Sequence, residues 1–394
     1  MSATSARSRL RVLLPALLLA ACATPQAPPP FSYAIPHLPE GPSAYVEKPG
    51  WAAQRYMVAA ANPLATDAGY QVLKAGGTAL DAAIAVQMVL TLVEPQSSGI
   101  GGGAFLLHWD GRSIVAWDGR ETAPAAATER LFLLPDGKPM PFREAVVGGR
   151  AVGVPGTVRL LEAAHKEQGM LPWATLIQPA ITLAEQGFRM SPRLHTQLKA
   201  ETALKGDAQA RAYFYRADGE PHAVGTLLQN PALADVLRGI AQRGSAALHS
   251  GAIAADIVRR VRGHGVNPGV LTQADLAAYA PKKRESICTD WKAAWRVCGF
   301  PPPSSGHLAV MQILGLMERS PALAQPLTDK LPSADWLPSA DWLHQYTEAA
   351  RLAYADRALY VADPDFVAAP AGRWTSLLDN RFLYKIMCIL LKVC

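Results

Sequence analysis

An arginine at the end of a short strand is the residue best suited to bind a ligand. Arg120 follows the second of two closely spaced Asp-Gly pairs, at 110–111 and 118–119, which are typical of tight turns around a hairpin strand. A guanidinium is always charged and can donate two parallel hydrogen bonds to one carboxylate, which an ammonium cannot do. From the residues alone, a surface ion pair with Glu121 or Asp118 is the favoured interpretation, and binding of a ligand carboxylate is the alternative.

A glycine-rich segment at 99–103 precedes this hairpin. The backbone N–H groups of such a turn can approach a ligand or a neighbouring strand closely. A phosphate site is disfavoured, because the order here is helix, turn, strand, whereas a dinucleotide site requires strand, turn, helix. Taken by itself, the segment favours a purely structural turn.

The elements that must position these residues are an apolar helix and a hairpin. Thr78 and Asp81 have capping-box spacing at the start of a helix that is apolar nearly all round as far as Leu92, which predicts that the helix is buried. Hairpin strands are predicted at 104–109 and 112–117, joined by a two-residue turn. Further predictions are a strand at 56–60 and helices at 67–74, 157–167, 172–188, 308–318 and 342–360.

Composition places the chain among globular proteins. Half of the 394 residues are hydrophobic and 18% are charged, which fits a mixed helix and sheet fold and excludes a disordered chain. The net charge of +6 is mild, and the short basic runs at 259–262 and 282–284 are interpreted as solvated helix faces or loops. With no zinc spacing and no Walker loop, we predict neither a nucleic-acid partner nor a metal site.

The N-terminus has the pattern of an export signal. Three arginines precede an apolar run at 12–19, which is followed by Leu-Ala-Ala-Cys ending at Cys22; the run is too short to span a bilayer. This pattern is typical of a bacterial lipobox and predicts that residues 1–21 are removed and that Cys22 carries a lipid. Ordinary cleavage that leaves a soluble secreted protein is the alternative. The Pro-rich residues 22–50 are predicted to form a tether.

Two other cysteines could pair with each other. Cys288 and Cys298 flank a segment that is typical of a hairpin. In an oxidising compartment they could form a disulfide across it, and the disulfide and free-thiol alternatives both stay open.

Three blocks in a fixed order carry a resemblance to a known family. They are AGGTALDAAIA at 75–85, SSGIGGGAF at 97–105 and DGRETAP at 118–124. In this order and spacing they resemble the large-subunit half of the γ-glutamyltransferases (glutathione hydrolases). Weaker blocks extend the resemblance over about residues 55–375. It implies an α+β fold of the N-terminal-nucleophile hydrolase type, an αββα sandwich that is incomplete here because only the large-subunit half is present.

The resemblance changes the interpretation of Arg120. In this family the arginine of the Arg-Glu-Thr-Ala-Pro block holds the α-carboxylate of a γ-glutamyl substrate, so Arg120 is the implied substrate-binding residue. The turn at 99–103 is then implied to shape one wall of the active-site cleft. His307 stands where many members have a second glycine, and we assign it no role.

No catalytic residue is predicted in this chain. The family's nucleophile is a threonine of a Thr-Thr-His-type motif, freed by self-cleavage, whose own amine acts as base. Residues 1–394 contain no such motif, and Thr375 lacks the histidine and apolar strand that follow the family's nucleophile. The chain alone is therefore predicted to be inactive. Residues 379–394 depart from the family pattern and are predicted to be an aberrant apolar tail, from a shifted reading frame or as a docking helix.

The sequence thus predicts part of an exported, periplasmic enzyme, with its large-subunit domain at 51–378, that cleaves or transfers the γ-glutamyl group of glutathione and related peptides. Complete members of the family use no metal or organic cofactor. The implied partners are a γ-glutamyl small molecule, a missing small subunit and the membrane that the lipid reaches. Two alternatives are a β-lactam acylase of the same superfamily and a non-enzymatic lipoprotein that binds amino acids or peptides.

Overall fold

The computed structural model describes residues 31–38, 40, 50, 52–292, 294–319 and 340–379. The chain divides into two units, Met1–Ser32 and Tyr33–Cys394, and every element below belongs to the second. The predicted signal at 1–21, the lipidation residue Cys22, most of the tether and residues 380–394 of the tail lie outside the described residues.

Helices dominate the described part of the chain, and strands are short. The helices are α1 (Pro63–Lys74), α2 (Ala79–Val93), α3 (Phe142–Val146), α4 (Thr157–Gln168), α5 (Trp173–Gln186), α6 (Pro192–Ala200), α7 (Ala208–Phe214), α8 (Pro231–Arg243), α9 (Ala246–His249), α10 (Gly251–Arg262), α11 (Gln273–Ala278), α12 (Gly306–Met317) and α13 (Ala340–Tyr360). The strands are β1 (Ala104–Trp109), β2 (Ile114–Gly119), β3 (Phe188–Arg189), β4 (Leu227–Leu228), β5 (Lys282–Arg284), β6 (Ile287–Trp291) and β7 (Trp295–Gly299). The predicted α+β class is confirmed.

The strands form three small antiparallel sheets. The largest has the order β1-β2-β5, with β2 in the centre, while β3 pairs with β4 and β6 pairs with β7. In the largest sheet Ala104 lies opposite Gly119, and Asp118 lies opposite Lys282. The end of β2 is therefore flanked by a strand on each side.

The helix α2 lies in the core, as its composition predicts. Thr78 and Asp81 form the predicted capping box, with the Thr78 N–H donating to Oδ2 of Asp81 at 2.9 Å and the Asp81 N–H donating to Oγ1 of Thr78 at 3.1 Å. Leu80, Ile84 and Met88 are fully buried, and α2 packs against α1, α4 and α5. Searched over the described residues, the helices include none with the length and apolarity needed to cross a bilayer.

Two predictions near the start of the domain are wrong. Residues 56–60 form no strand, and no described segment forms a ladder with them. Helix α1 begins at Pro63, four residues before the prediction, because the side chain of Asn62 caps it by accepting the N–H of Leu64 at 3.0 Å. Proline at the first helical position has no N–H to lose, so Pro63 can start the helix.

The turn of the β1–β2 hairpin is longer than predicted. Strand β2 spans Ile114–Gly119 where 112–117 was expected. The carboxylate of Asp110 accepts the N–H groups of Arg112 and Ser113, both at 2.7 Å. This side-chain turn includes Arg112 and Ser113. The predicted two-residue turn had placed both of these residues in the strand. As a result the second Asp-Gly pair lies inside β2, at its end.

Part of the predicted tether packs on the domain. Tyr33 is buried, and the side-chain amide of Gln71 exchanges two hydrogen bonds with the backbone of Ala34, at 2.8 and 3.2 Å. The compact unit therefore begins at Tyr33, earlier than the boundary predicted after residue 50. This packing could not be predicted from the sequence, because the segment has no apolar period.

The two basic runs have different environments. Arg259 and Arg260 lie on α10 and both pair with Asp256, as a solvated helix face would. The run at 282–284 is instead strand β5, and the side chain of Arg284 is only 12% exposed. The prediction of a solvated segment is wrong for Arg284, because a sheet strand presents alternate side chains to opposite faces.

Candidate functional site

Arg120 directly follows the end of β2, and its side chain is exposed. Its guanidinium carbon lies 5.9 Å from the centroid of the Phe105 ring, within range of a cation–π interaction. Phe105 lies opposite Asp118 in the β1–β2 ladder, and its ring packs against that of Phe300 at a centroid distance of 4.3 Å. The aromatic pair supports the charged head of Arg120 without neutralising it.

The backbone of Arg120 is held on both sides. Its N–H donates to Oδ1 of Asp118 at 3.0 Å, and its carbonyl accepts the hydroxyl of Tyr279 at 2.8 Å. Tyr279 is 6% exposed, and burial raises the pKa of its hydroxyl well above the ordinary value, so the hydroxyl stays a neutral donor. The peptide is therefore fixed while the side chain projects from it.

The surface ion pair that the sequence favoured for Arg120 does not form. Oδ2 of Asp118 accepts the Nε–H of Arg284 at 2.7 Å, and its other oxygen accepts the N–H of Arg120. Glu121 turns toward the glycine segment instead. Over the described ranges, no carboxylate pairs with the guanidinium of Arg120.

The glycine turn is joined to both the strand end and the start of α4. The carbonyl of Gly102 accepts the N–H groups of Gly156 at 2.9 Å and Thr157 at 3.1 Å. A Cβ added at Gly103 would lie 2.6 Å from the backbone nitrogen of Glu121, so a larger residue cannot occupy this position without displacing the segment after Arg120. The glycine turn thus packs directly against the residue that follows Arg120.

Comparison with known proteins identifies the family to which these residues belong. The model of the γ-glutamyltranspeptidase family matches residues 65–390. The chain belongs to this family. It is 36% identical over 316 residues to the glutathione hydrolase proenzyme of Bacillus subtilis strain 168, covering 80% of this chain and 51% of that protein. It is also 36% identical over 346 residues to the acylase ACY 1 proenzyme of Pseudomonas sp. strain V22, covering 85% of this chain and 58% of that protein.

A solved structure shows the same fold. The crystal structure of γ-glutamyltranspeptidase from Helicobacter pylori matches with a TM-score of 0.77 and 33% sequence identity, covering 86% of this chain and 93% of that chain. This likeness confirms the predicted fold class, the N-terminal-nucleophile hydrolase type in its large-subunit part. The chain spans between about half and three fifths of the length of the two curated relatives.

An ion-pair network that was not predicted from the sequence begins at Asp118, two residues before Arg120. Arg284 bridges Asp118 of β2 and Asp365, whose carboxylate accepts from the two terminal guanidinium nitrogens at 2.9 and 3.3 Å. Lys282 also donates to Asp365, at 2.6 Å. Hydrogen bonds from Arg284 and then Lys282 hold the pKa of Asp365 far below its usual range.

A cavity of about 440 Å³ lies away from Arg120, between the N-terminal segment and the start of α6. Arg193 pairs there with the buried Glu94 and lies 3.8 Å from Glu40. Burial raises the pKa of Glu40, with Glu94 adding to the rise. Arg120 is not among the lining residues, and none of the sequence motifs pointed to this cavity.

The remaining candidate residues have these positions. His307 lies on α12, buried against Gly299, and burial lowers its pKa. Thr375 lies in a 3-10 turn after α13. Cys288 and Cys298 face each other in the β6–β7 ladder, and their sulfur atoms are bonded. Cys22 lies outside the described residues, and its lipidation stays a prediction. In the described ranges no group of three or more His, Cys, Asp or Glu is placed to hold a metal ion.

Proposed function

We propose that this chain supplies the substrate-carboxylate site of a γ-glutamyltransferase or glutathione hydrolase, with Arg120 as the residue that binds the α-carboxylate of the γ-glutamyl group. The observation that carries the proposal is that the peptide of Arg120 is held in place while its guanidinium is available. The Arg120 peptide is hydrogen-bonded at both its N–H and its carbonyl, while no described carboxylate pairs with its guanidinium.

The chemistry of the substrate explains why this arrangement is useful. A γ-glutamyl group carries its α-carboxylate several bonds away from the carbonyl that reacts, so a clamp on the carboxylate sets the position of the distant carbonyl. A guanidinium already paired with Asp118 or Glu121 would have to break that pair before binding. Here Asp118 is occupied by Arg284, which leaves Arg120 available for a ligand.

Isothermal calorimetry with L-glutamate and glutathione tests the clamp. We expect the wild-type chain to bind and Arg120→Ala to weaken the affinity about 100-fold, because a paired hydrogen bond between charged groups is lost. Arg120→Lys should give an intermediate loss, since it keeps the charge but not the planar fork. Arg112→Ala is the matched control, because Arg112 is an exposed arginine in the loop at the opposite end of β2. Equal affinities for wild type and Arg120→Ala would refute the clamp.

We propose further that the 394-residue chain alone binds γ-glutamyl compounds without turning them over, since its sequence holds no Thr-Thr-His-type motif. The same preparations can be incubated with a chromogenic γ-glutamyl anilide, and release above the buffer blank contradicts this. Binding without turnover, even after a small subunit of a relative is supplied, favours the non-enzymatic binding alternative.

Acylase activity is a second candidate function, and the acylase relative supports it. The acylase ACY 1 proenzyme is as similar in sequence as the glutathione hydrolase proenzyme. A dicarboxylic acyl group would present its free carboxylate to Arg120 without an ammonium group beside it. Calorimetry with glutarate separates the two, because tighter binding of glutarate than of glutamate favours the acylase.

We also propose that the protein is exported to the periplasm and anchored there through a lipid on Cys22. The support is the basic, apolar and Leu-Ala-Ala-Cys pattern of the first 22 residues. A Cys22→Ser variant expressed in a bacterium should move from the membrane fraction to the soluble fraction. Equal membrane association of both proteins contradicts the anchor.

A further inference from the structure

The hydrogen bonds that hold the peptide of Arg120 connect it to residues well beyond its own turn. Asp118 uses one carboxylate oxygen for the N–H of Arg120, at 3.0 Å, and the other for the Nε–H of Arg284, at 2.7 Å. One side chain therefore links the peptide of the proposed clamp to the neighbouring strand β5. Because each oxygen of Asp118 has its own partner, the orientation of the carboxylate depends on Arg284.

Arg284 is in turn oriented by a segment that is distant in the sequence. Its terminal nitrogens donate to both oxygens of Asp365, at 2.9 and 3.3 Å. Asp365 lies after α13, in the Asp-Pro-Asp-Phe block, and the side chain of Asp363 steadies it by accepting its N–H at 2.9 Å. Two carboxylates from different parts of the chain thus accept hydrogen bonds from one guanidinium, and Asp363 lies 3.9 Å from it.

The low exposure of the central residues makes this arrangement stiff. The side chains of Asp118 and Arg284 are 8% and 12% exposed, so water can replace little of a lost partner. A guanidinium offers donors in a fixed planar fork. If the carboxylate on one side of the fork is removed, the fork can tilt, and the carboxylate on the other side loses its fixed position.

We propose that Asp365, acting through Arg284 and Asp118, is a positioning residue for Arg120. This inference rests on the proposed function, because it takes Arg120 to be the residue that binds the substrate carboxylate. Residues that orient a binding group through hydrogen bonds decide whether it is held closely enough to the productive geometry. Substrate affinity then depends on a segment more than 200 positions along the chain that need not touch the substrate.

Amide hydrogen exchange on the Asp365→Asn variant tests the coupling without any ligand. Asparagine keeps the size of the side chain and removes the charge that holds the Arg284 fork. We expect the peptide covering residues 118–122 to exchange about tenfold faster, with no change in the peptide covering α4. Unchanged exchange at 118–122 overturns the proposal, and so does an equal increase throughout the protein, which would indicate a merely structural role.

Calorimetry with L-glutamate supplies the second readout. Asp365→Asn should weaken binding about tenfold, equivalent to about 1.4 kcal/mol. In the Arg120→Ala background the same substitution should have no further effect, because the group that it positions is already absent. Additive losses in the double variant overturn the positioning role.

Two further variants sharpen the result. Glu167→Gln is the matched control: it removes the partner of Lys283, a 2.6 Å ion pair from the same strand β5, and should change neither exchange at 118–122 nor affinity. Tyr279→Phe removes only the hydroxyl that donates to the carbonyl of Arg120 and should reproduce the affinity loss of Asp365→Asn. An affinity loss in Glu167→Gln equal to that in Asp365→Asn contradicts the proposal.

The two proposals can fail separately. If the wild-type chain binds neither glutamate nor glutathione, the clamp fails, whereas the exchange experiment still shows whether Asp365 holds the Arg120 peptide. If binding requires Arg120 but is indifferent to Asp365 and Tyr279, the clamp stands and the positioning role is refuted.

Discussion

The tripeptide Asp-Gly-Arg occurs on both sides of strand β2, at 110–112 in the turn that precedes the strand and at 118–120 where the strand ends. The two copies share one hydrogen bond. In each copy the Oδ1 atom of the aspartate accepts the N–H of the arginine two residues later, at 2.7 Å for Arg112 and 3.0 Å for Arg120. This is the side-chain turn that aspartate forms readily.

The surroundings of the two copies differ. Gly111 has a φ of +94° and open space around it, and Asp110 is exposed. In the second copy Gly119 packs directly against Leu160 of α4, and Asp118 is 7% exposed and bound to Arg284. Among the described residues, contacts to the first copy come from its own loop, whereas the second copy is held by a helix and a neighbouring strand.

The comparison shows that a short motif determines a turn, whereas its tertiary contacts determine what the turn can do. In the described part of the chain, the backbone of Arg112 is supported by a local side chain, that of Asp110. Arg120 has a backbone fixed by residues from β2 and from the segment after α11. An arginine can position a ligand only where its own peptide is prevented from moving.

The strongest test of the comparison replaces the two glycines by alanine. A Cβ at Gly119 would overlap the side chain of the fully buried Leu160, and we expect a loss of about 3 kcal/mol in the free energy of unfolding from overpacking. At Gly111 a Cβ meets nothing within 4 Å, so only the positive φ is unfavourable, at about 1 kcal/mol. Urea unfolding followed by circular dichroism measures both.

The outcome for Gly119→Ala decides whether the helix contact is as tight as the structure has it. A smaller loss than that of Gly111→Ala would mean that α4 can withdraw from the end of β2 at little cost. In that case the second copy of the tripeptide would be no better supported than the first.

Much of the fold could be predicted from local signals. The capping box at Thr78, the apolar period of α2 and the strand at 104–109 are encoded in neighbouring residues, and each was found. The wrongly predicted strand at 56–60 and the unpredicted packing of Tyr33 have a different cause. Whether an extended segment becomes a strand, or a Pro-rich segment packs, depends on contacts distant in sequence.

The residues of the site also fall into those that local signals predicted and those that they did not. The resemblance singled out Arg120, and the Asp-Gly pair before it predicted that Arg120 lies at the end of a strand. The ion pair between Asp118 and Arg284 joins residues 166 positions apart, and the basic run at 282–284 gave no sign that one of its members is buried. Alternation along β5 separates Arg284 from Lys283, but three residues are too few to show that period.

The smaller test changes the two aspartates to asparagine. Each variant keeps a side-chain oxygen for the N–H of the following arginine, so the local turn is preserved in both. Asp118→Asn removes the charge that pairs with the buried side of Arg284. We expect a loss of about 2 kcal/mol in the free energy of unfolding. The loss is limited because Asp365 still pairs with the guanidinium. Asp110→Asn should cost less than about 0.5 kcal/mol, since its carboxylate is exposed. Equal losses in the two variants, measured by the same urea titration, would mean that the ion pair behind Arg120 adds nothing to what the tripeptide does by itself.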